Sequence, residues 1–209
     1  MNKANKKIWS VLACVFVISA LAFAQAGRGV LLVDADLRKP GIHVVFDLPN
    51  AHGLTTLLRS DEVSLDAIAH STEQANLRVV TTGPLPPNPA ELVGSQRMRT
   101  VLQRLQSAAD LVVFDSPPLQ VVTDSAILSS FVDGTLLVID AAHSRRRTVR
   151  LAREALARAG ANVVGAVLNR IPDRVHSGYY TYYGDHGASR EGAEKRPRGA
   201  EESPDGSAP

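Results

Sequence analysis

Three aspartates close apolar runs in a way that could do chemistry. "VLLVDADLRKP" (30–40) runs from apolar residues into Asp34, Ala35 and Asp36, and "LVVFDSPP" (111–118) runs likewise into Asp115. Carboxylates at i and i+2 of an extended chain point to one side. In open α/β sheets the ligand site lies beyond the carboxyl ends of the strands. Three acids so placed suit a magnesium ion carrying phosphates, because magnesium takes one or two carboxylates and completes its shell with water and phosphate oxygens. Phosphoryl transfer needs mainly such positioning and charge neutralisation. The plainer alternative is that each strand-terminal aspartate caps the next helix or turn. Either aspartate run alone fits that alternative; both together, each after four apolar residues, favour the site.

The elements that would hold these acids read as alternating strands and helices. The apolar runs are "VLLVD" (30–34), "LRVVTTG" (77–83), "LVVFD" (111–115), "GTLLVID" (134–140) and "NVVGAVLN" (162–169). They are rich in Val, Ile and Leu with little polar alternation, as in strands buried on both faces. Helical patterns lie between them. The fold class expected is therefore α/β, with three layers and a mostly parallel sheet wrapped by helices.

Two of those helices carry clear punctuation. "NPAELVGSQRMRTVLQRLQ" (88–106) is expected to open on Asn88 as N-cap, with Pro89 in the first turn and Glu91 reaching back to the cap. Met98, Val101, Leu102 and Leu105 mark its apolar face. "RRRTVRLAREALARAG" (145–160) sets Val149, Ala152, Leu156 and Ala159 on one face and stops at Gly160. Arginines 145, 146, 147, 150, 153 and 158 crowd the rest of it. A solvated face is the simple account of that run; contact with an anion or a partner is the other.

Composition narrows the rest. The 209 residues are 44% hydrophobic and 21% charged, with a net charge of +2, so the chain is long enough for a real core and carries no strong field for nucleic acid. Cys14 is the single cysteine, which rules out an internal disulfide, and the six histidines are scattered without metal-ligand spacing. From Gly184 to Pro209 no aliphatic residue is larger than alanine, so the tail is expected to be disordered. Just before it stand all four tyrosines: Tyr179, Tyr180, Tyr182 and Tyr183. They read either as a local packing patch or as a modified or recognised tail.

Together these motifs resemble those of the bacterial tyrosine kinases, the cytoplasmic domains of exopolysaccharide co-polymerases. "LLVDADLRKP" is similar to the family's Walker A′ motif and "LVVFDSPP" to its Walker B motif. "GPLPPNPAELVGSQRM" resembles the loop and helix between them, and the tyrosine cluster resembles the autophosphorylation tail. The likeness runs from about Ala20 to Tyr183 in the family's order. It implies a P-loop-type fold of the wider MinD-like group, with ATP and Mg2+ as cofactors. It implies that Asp34 and Asp36 bind magnesium and activate the incoming tyrosine hydroxyl, that Asp115 holds the ion through water, and that Asn169 in "VLNRI" contacts adenine. Tyr179, Tyr180, Tyr182 and Tyr183 would be phosphoacceptors offered to a neighbouring subunit. The implied partners are a membrane co-polymerase or activator subunit and further copies of the chain, with no nucleic acid. The implied location is the cytoplasmic face of the bacterial inner membrane.

One family motif has no match here. A phosphate loop, GxxGxGK[ST], should place its lysine near residue 12, where the sequence reads "WSVLAC"; no glycine precedes Gly27. The loop's N–H groups and lysine would wrap the phosphates. Residues 1–19 are instead basic and then apolar, and Ile8 to Ala26 hold no charge. They fit a signal peptide, a membrane anchor or unrelated residues ahead of a kinase fragment. The organisation expected is thus an atypical segment at 1–19, a kinase-like nucleotide-binding domain at 20–175, and a tyrosine cluster with tail at 176–209. The functions in view are a tyrosine autokinase of capsule and exopolysaccharide synthesis impaired in ATP binding, a MinD- or ParA-type partition ATPase, and a non-catalytic phosphoacceptor or assembly partner of an intact kinase.

Overall fold

The computed structural model describes residues 15–119 and 121–171. Residues 1–14 and the four tyrosines lie outside the described residues. The described residues start with a helix, α1 (15–25), and a turn through Gly27 into β1 (Val30–Asp34). Then come α2 (Ile42–Val45), α3 (Leu54–Arg59), a 3-10 turn (Leu65–Ala67), β2 (Ala69–Ser71) and β3 (Leu77–Val80). The second half holds α4 (Pro89–Val93), α5 (Gln96–Gln106), β4 (Leu111–Asp115), α6 (Asp124–Ser129), β5 (Thr135–Asp140), α7 (Arg146–Arg158) and β6 (Val163–Asn169).

Every apolar run expected to be a strand is one. They do not form a single sheet among the described residues. Four strands pair in the order β2-β3-β1-β4, and β5 pairs with β6 alone. All pairings are parallel except β2 with β3. β1 shows why the first sheet is firm. Successive side chains alternate between faces, so Leu31 and Val33 join Leu54, Leu57, Met98, Val101 and Leu105, while Val30 and Leu32 join Val17, Ala20, Ala24 and Ile42. α3 and α5 therefore cover one face and α1 the other, which makes three layers. Each fully buried leucine in such a layer contributes about 1.5–3 kcal/mol.

The expectation that each strand is buried on both faces fails for the later ones. β1 is buried throughout, β4 is half-buried along its length, and β6 leaves Val164 66% and Leu168 58% exposed. The reason is the division of the sheet: among the described residues β4 has a strand neighbour on one edge only, and so has β5.

The helix expected over 88–106 is also two. Gly94 ends α4, and Ser95 restarts the chain by accepting a hydrogen bond from the Met98 N–H at 3.2 Å. Asn88 does not cap with its side chain; its amide Nδ2 donates to Glu91 Oε2 instead. The apolar face is as expected, with Met98, Val101, Leu102 and Leu105 all buried. In α7, Ala152 and Leu156 are buried, and Gly160 turns the chain at φ +73. There the N–H groups of Ala161 and Gly160 donate to the carbonyls of Leu156 and Ala157, a left-handed stop that favours glycine.

Candidate functional site

Parallel pairing of β1 with β4 sets Asp34 opposite Asp115, so the two strand ends deliver their carboxylates side by side. The Ala35 N–H donates to the Asp115 carbonyl at 2.8 Å, which fixes the chain just beyond the ladder. β3 adds a third support, because the Thr82 hydroxyl donates to the Asp34 carbonyl at 3.1 Å. Behind it, Gly53 lies so close to the end of β3 that a Cβ would sit 2.1 Å from the Thr81 carbonyl oxygen. Only glycine allows that approach, which lets the Leu54 and Thr55 N–H groups bond the carbonyls of Thr81 and Thr82.

The three acids differ in what already holds them. Asp34 is fully buried, and its Oδ2 accepts from the N–H groups of Gly41 and Ile42, each at 3.0 Å. Its Oδ1 accepts from the Asp36 N–H at 3.2 Å. Burial nonetheless raises its pKa, against these stabilising bonds. Asp36 uses Oδ1 to accept from the N–H groups of Arg38 and Lys39. Asp115 is pushed up to about 8, first by burial and then by the charges of Asp34 and Asp36. Capping of the following turn, the plainer alternative, therefore accounts for Asp34 and for one oxygen of Asp36. It does not account for Asp115, whose carboxyl lies near the charges of Asp34 and Asp36.

That donor set is all oxygen and fits a hard divalent cation held by one or two carboxylates. Among the described residues no group of three His, Cys, Asp or Glu side chains is placed to hold a metal by itself. An ion here would have to draw the rest of its shell from water or phosphate. The loop that leaves Asp115 is pinned from α6: Ser125 Oγ donates to the Pro117 carbonyl, and Asp124 takes a two-pronged contact from Arg38, at 2.8 Å from Nε and 3.1 Å from Nη2. Asp124 is 2% exposed, so this pair ties the "DLRKP" turn to the start of α6.

Asn169 does not join the three aspartates in their sheet. It ends β6, opposite Asp140 at the end of β5, and its Oδ1 accepts from the Arg170 N–H at 2.8 Å. Asp140 is the hub of that end. Its Oδ2 meets Arg170 Nη1 at 3.2 Å and His143 Nδ1 at 3.1 Å, and its Oδ1 accepts from the Ala142 N–H at 3.0 Å. Burial would raise the Asp140 pKa, but His143, the Ala142 N–H and Arg170 outweigh it and hold it below the ordinary carboxylate value. Sequence reasoning passed over Asp140 and Asp124. The signal for Asp140 was present, since "TLLVID" is a third apolar run closed by aspartate. Nothing local marked Asp124, whose role depends on an arginine 86 positions away.

Similar proteins are numerous. The chain is 42% identical over 166 residues to the putative tyrosine-protein kinase CapB of Staphylococcus aureus, spanning 79% of this chain and 72% of that protein. It is 41% identical over 165 residues to the tyrosine-protein kinase YwqD of Bacillus subtilis, spanning 79% of this chain and 69% of that one. No family model matches the chain. Among solved structures, the chimerical protein CapA2B2 superposes with a TM-score of 0.73 at 36% identity, over 77% of this chain and 70% of its own. The septum-site-determining protein MinD of Pyrococcus horikoshii, complexed with Mg-ADP, superposes at 0.61 with 17% identity over 80% of this chain and 71% of its own. That last likeness is one of fold alone.

Proposed function

The chain belongs to the bacterial tyrosine kinases of capsule and exopolysaccharide systems, and from that membership we propose a tyrosine-autokinase-like domain that acts in polysaccharide synthesis and chain-length control and is impaired in ATP binding. The observation that carries the proposal is the pair of aspartate-ended strands, β1 and β4, in register with Asp34 opposite Asp115. Asp36 and Asp115 would hold magnesium, with Asp34 fixing the turn beside them and acting with Asp36 toward the incoming tyrosine hydroxyl. Asn169 would contact adenine, and Tyr179, Tyr180, Tyr182 and Tyr183 would accept phosphate. When bound, magnesium would neutralise phosphate charge as transfer proceeds.

Two features support the impairment. No glycine precedes Gly27 in the given sequence, and "WSVLAC" stands where the family's loop lysine would fall. The sheet is also interrupted between β4 and β5 among the described residues. Phosphate contacts from such a turn are a large share of transition-state stabilisation. No helix among the described residues is long and apolar enough to cross a membrane. A membrane activator of the CapA type would hold the domain at the cytoplasmic face of the inner membrane; the similarity to the chimerical CapA2B2 supports that partner.

The test is incubation of the chain with ATP and magnesium, followed by an anti-phosphotyrosine blot. Little or no autophosphorylation is expected from the chain alone. A strong signal that disappears in Asp36→Ala would overturn the impairment while upholding the kinase.

A further inference from the structure

α7 breaks the usual charge logic of a helix. Arg145, Arg146 and Arg147 crowd its start, with no acidic residue in the first turn, where cations are disfavoured. Arg146, Arg150 and Arg153 follow at spacings that put like charges side by side. All of these arginines, and Arg158, are exposed. The only ion pair on the helix among the described residues is Arg150 with Glu154 at 3.7 Å. Elsewhere in the fold arginines are used: Arg38, Arg78, Arg97 and Arg170 each meet an aspartate, and Arg104 donates to the Val63 carbonyl. A local rule broken without compensation among the described residues points to an external one.

The chemistry of that compensation follows from the side chain. Guanidinium groups bind phosphate through paired N–H donors. Each phosphotyrosine would bring roughly −1.5 to −2 charges. A membrane surface fits less well, because a helix lying in lipid needs a broad apolar face turned outward. Here Leu151 is the one large apolar residue exposed on α7, while Leu156 points into the core. We propose that the arginine face of α7 docks a segment carrying two or more phosphotyrosines, presented by a second copy of the chain. The sequence supplies such a segment in Tyr179, Tyr180, Tyr182 and Tyr183. The phosphates on that segment rest on the kinase reading, and because this chain alone is expected to add few of them they would come from an intact kinase acting in trans; the docking surface does not depend on that reading.

The test uses the full chain and a fluorescent synthetic peptide of residues 176–187 with all four tyrosines phosphorylated, read by anisotropy. Because the phosphates are synthetic, the result stands whether or not the chain is an active kinase. Binding is expected to weaken as salt rises and to fall at least about tenfold, as charge-assisted bonds are lost, for the unphosphorylated peptide and for Arg146→Glu/Arg150→Glu. The exposed pair Arg28→Glu/Arg59→Glu makes the same change in net charge elsewhere and should leave affinity unaltered. Circular dichroism confirms that each variant is folded. Equal binding of the two peptides, equal loss in both double variants, or displacement of the phosphopeptide by phosphatidylserine vesicles would overturn the proposal.

Discussion

β1 and β6 are both valine- and leucine-bearing strands closed by a polar residue, and their surroundings are opposite. Leu31 in β1 is fully buried, whereas Val164 in β6 is 66% exposed. β1 has a strand on each edge and a helical layer on each face; β6 pairs with β5 alone. A strand's burial is thus fixed by what flanks it and not by its own residues. The same contrast separates the two aspartates that end β4 and β5. Asp115 lies among carboxylates, and Asp140 lies between an arginine and a histidine.

The sharpest way to break this comparison is to truncate both strands. Leu31→Ala should cost about 2–5 kcal/mol, as for a leucine removed from a packed core, measured as a lower urea midpoint. A cost near zero would mean that the four-stranded sheet is not the stable half. Next comes pH. The Asp115 carboxyl is raised in the folded state to about 8, so folding binds a proton there and stability should fall as pH rises from the ordinary value near 3.8 toward 8, then level off. Asp115→Asn should flatten that decline. Asp140 is lowered, so its contribution is present above the ordinary carboxylate value and is lost as pH falls through its depressed one. Asp140→Asn should remove that acid-side loss. Urea midpoints across pH separate the two, and identical profiles for both variants would erase the contrast. The smallest effect belongs to Val164→Ser, expected within about 0.5 kcal/mol of no change. A loss of several times that size would show that β6 is covered in solution.

Much of this was legible in the sequence because it is local. Four apolar residues before an aspartate are enough to mark β1 and β4, and the spacing of Met98, Val101, Leu102 and Leu105 is enough to mark a buried helical face. β2 escaped notice because Ala69–Ser71 is three residues long and has no apolar run. The break at Gly94 and Ser95 was hidden inside a pattern whose period continues across it, although a glycine followed by a good N-cap is a stop and a start. The division into two sheets, the Gly53 approach and the Arg38–Asp124 pair depend on partners distant in the chain. No residue announces them by its own type.

Asp34 has a consequence beyond its place among the acids. Its carboxylate is also the fastener of α2, through the N–H groups of Gly41 and Ile42. A cation that drew on Asp34 would have to loosen those bonds, and the first turn of α2 would loosen with them. Val44 and Val45, which are exposed and bear no charge, would then register the occupancy of a site they never touch. Their amides, followed by hydrogen exchange, make that short helix a built-in reporter for the ion.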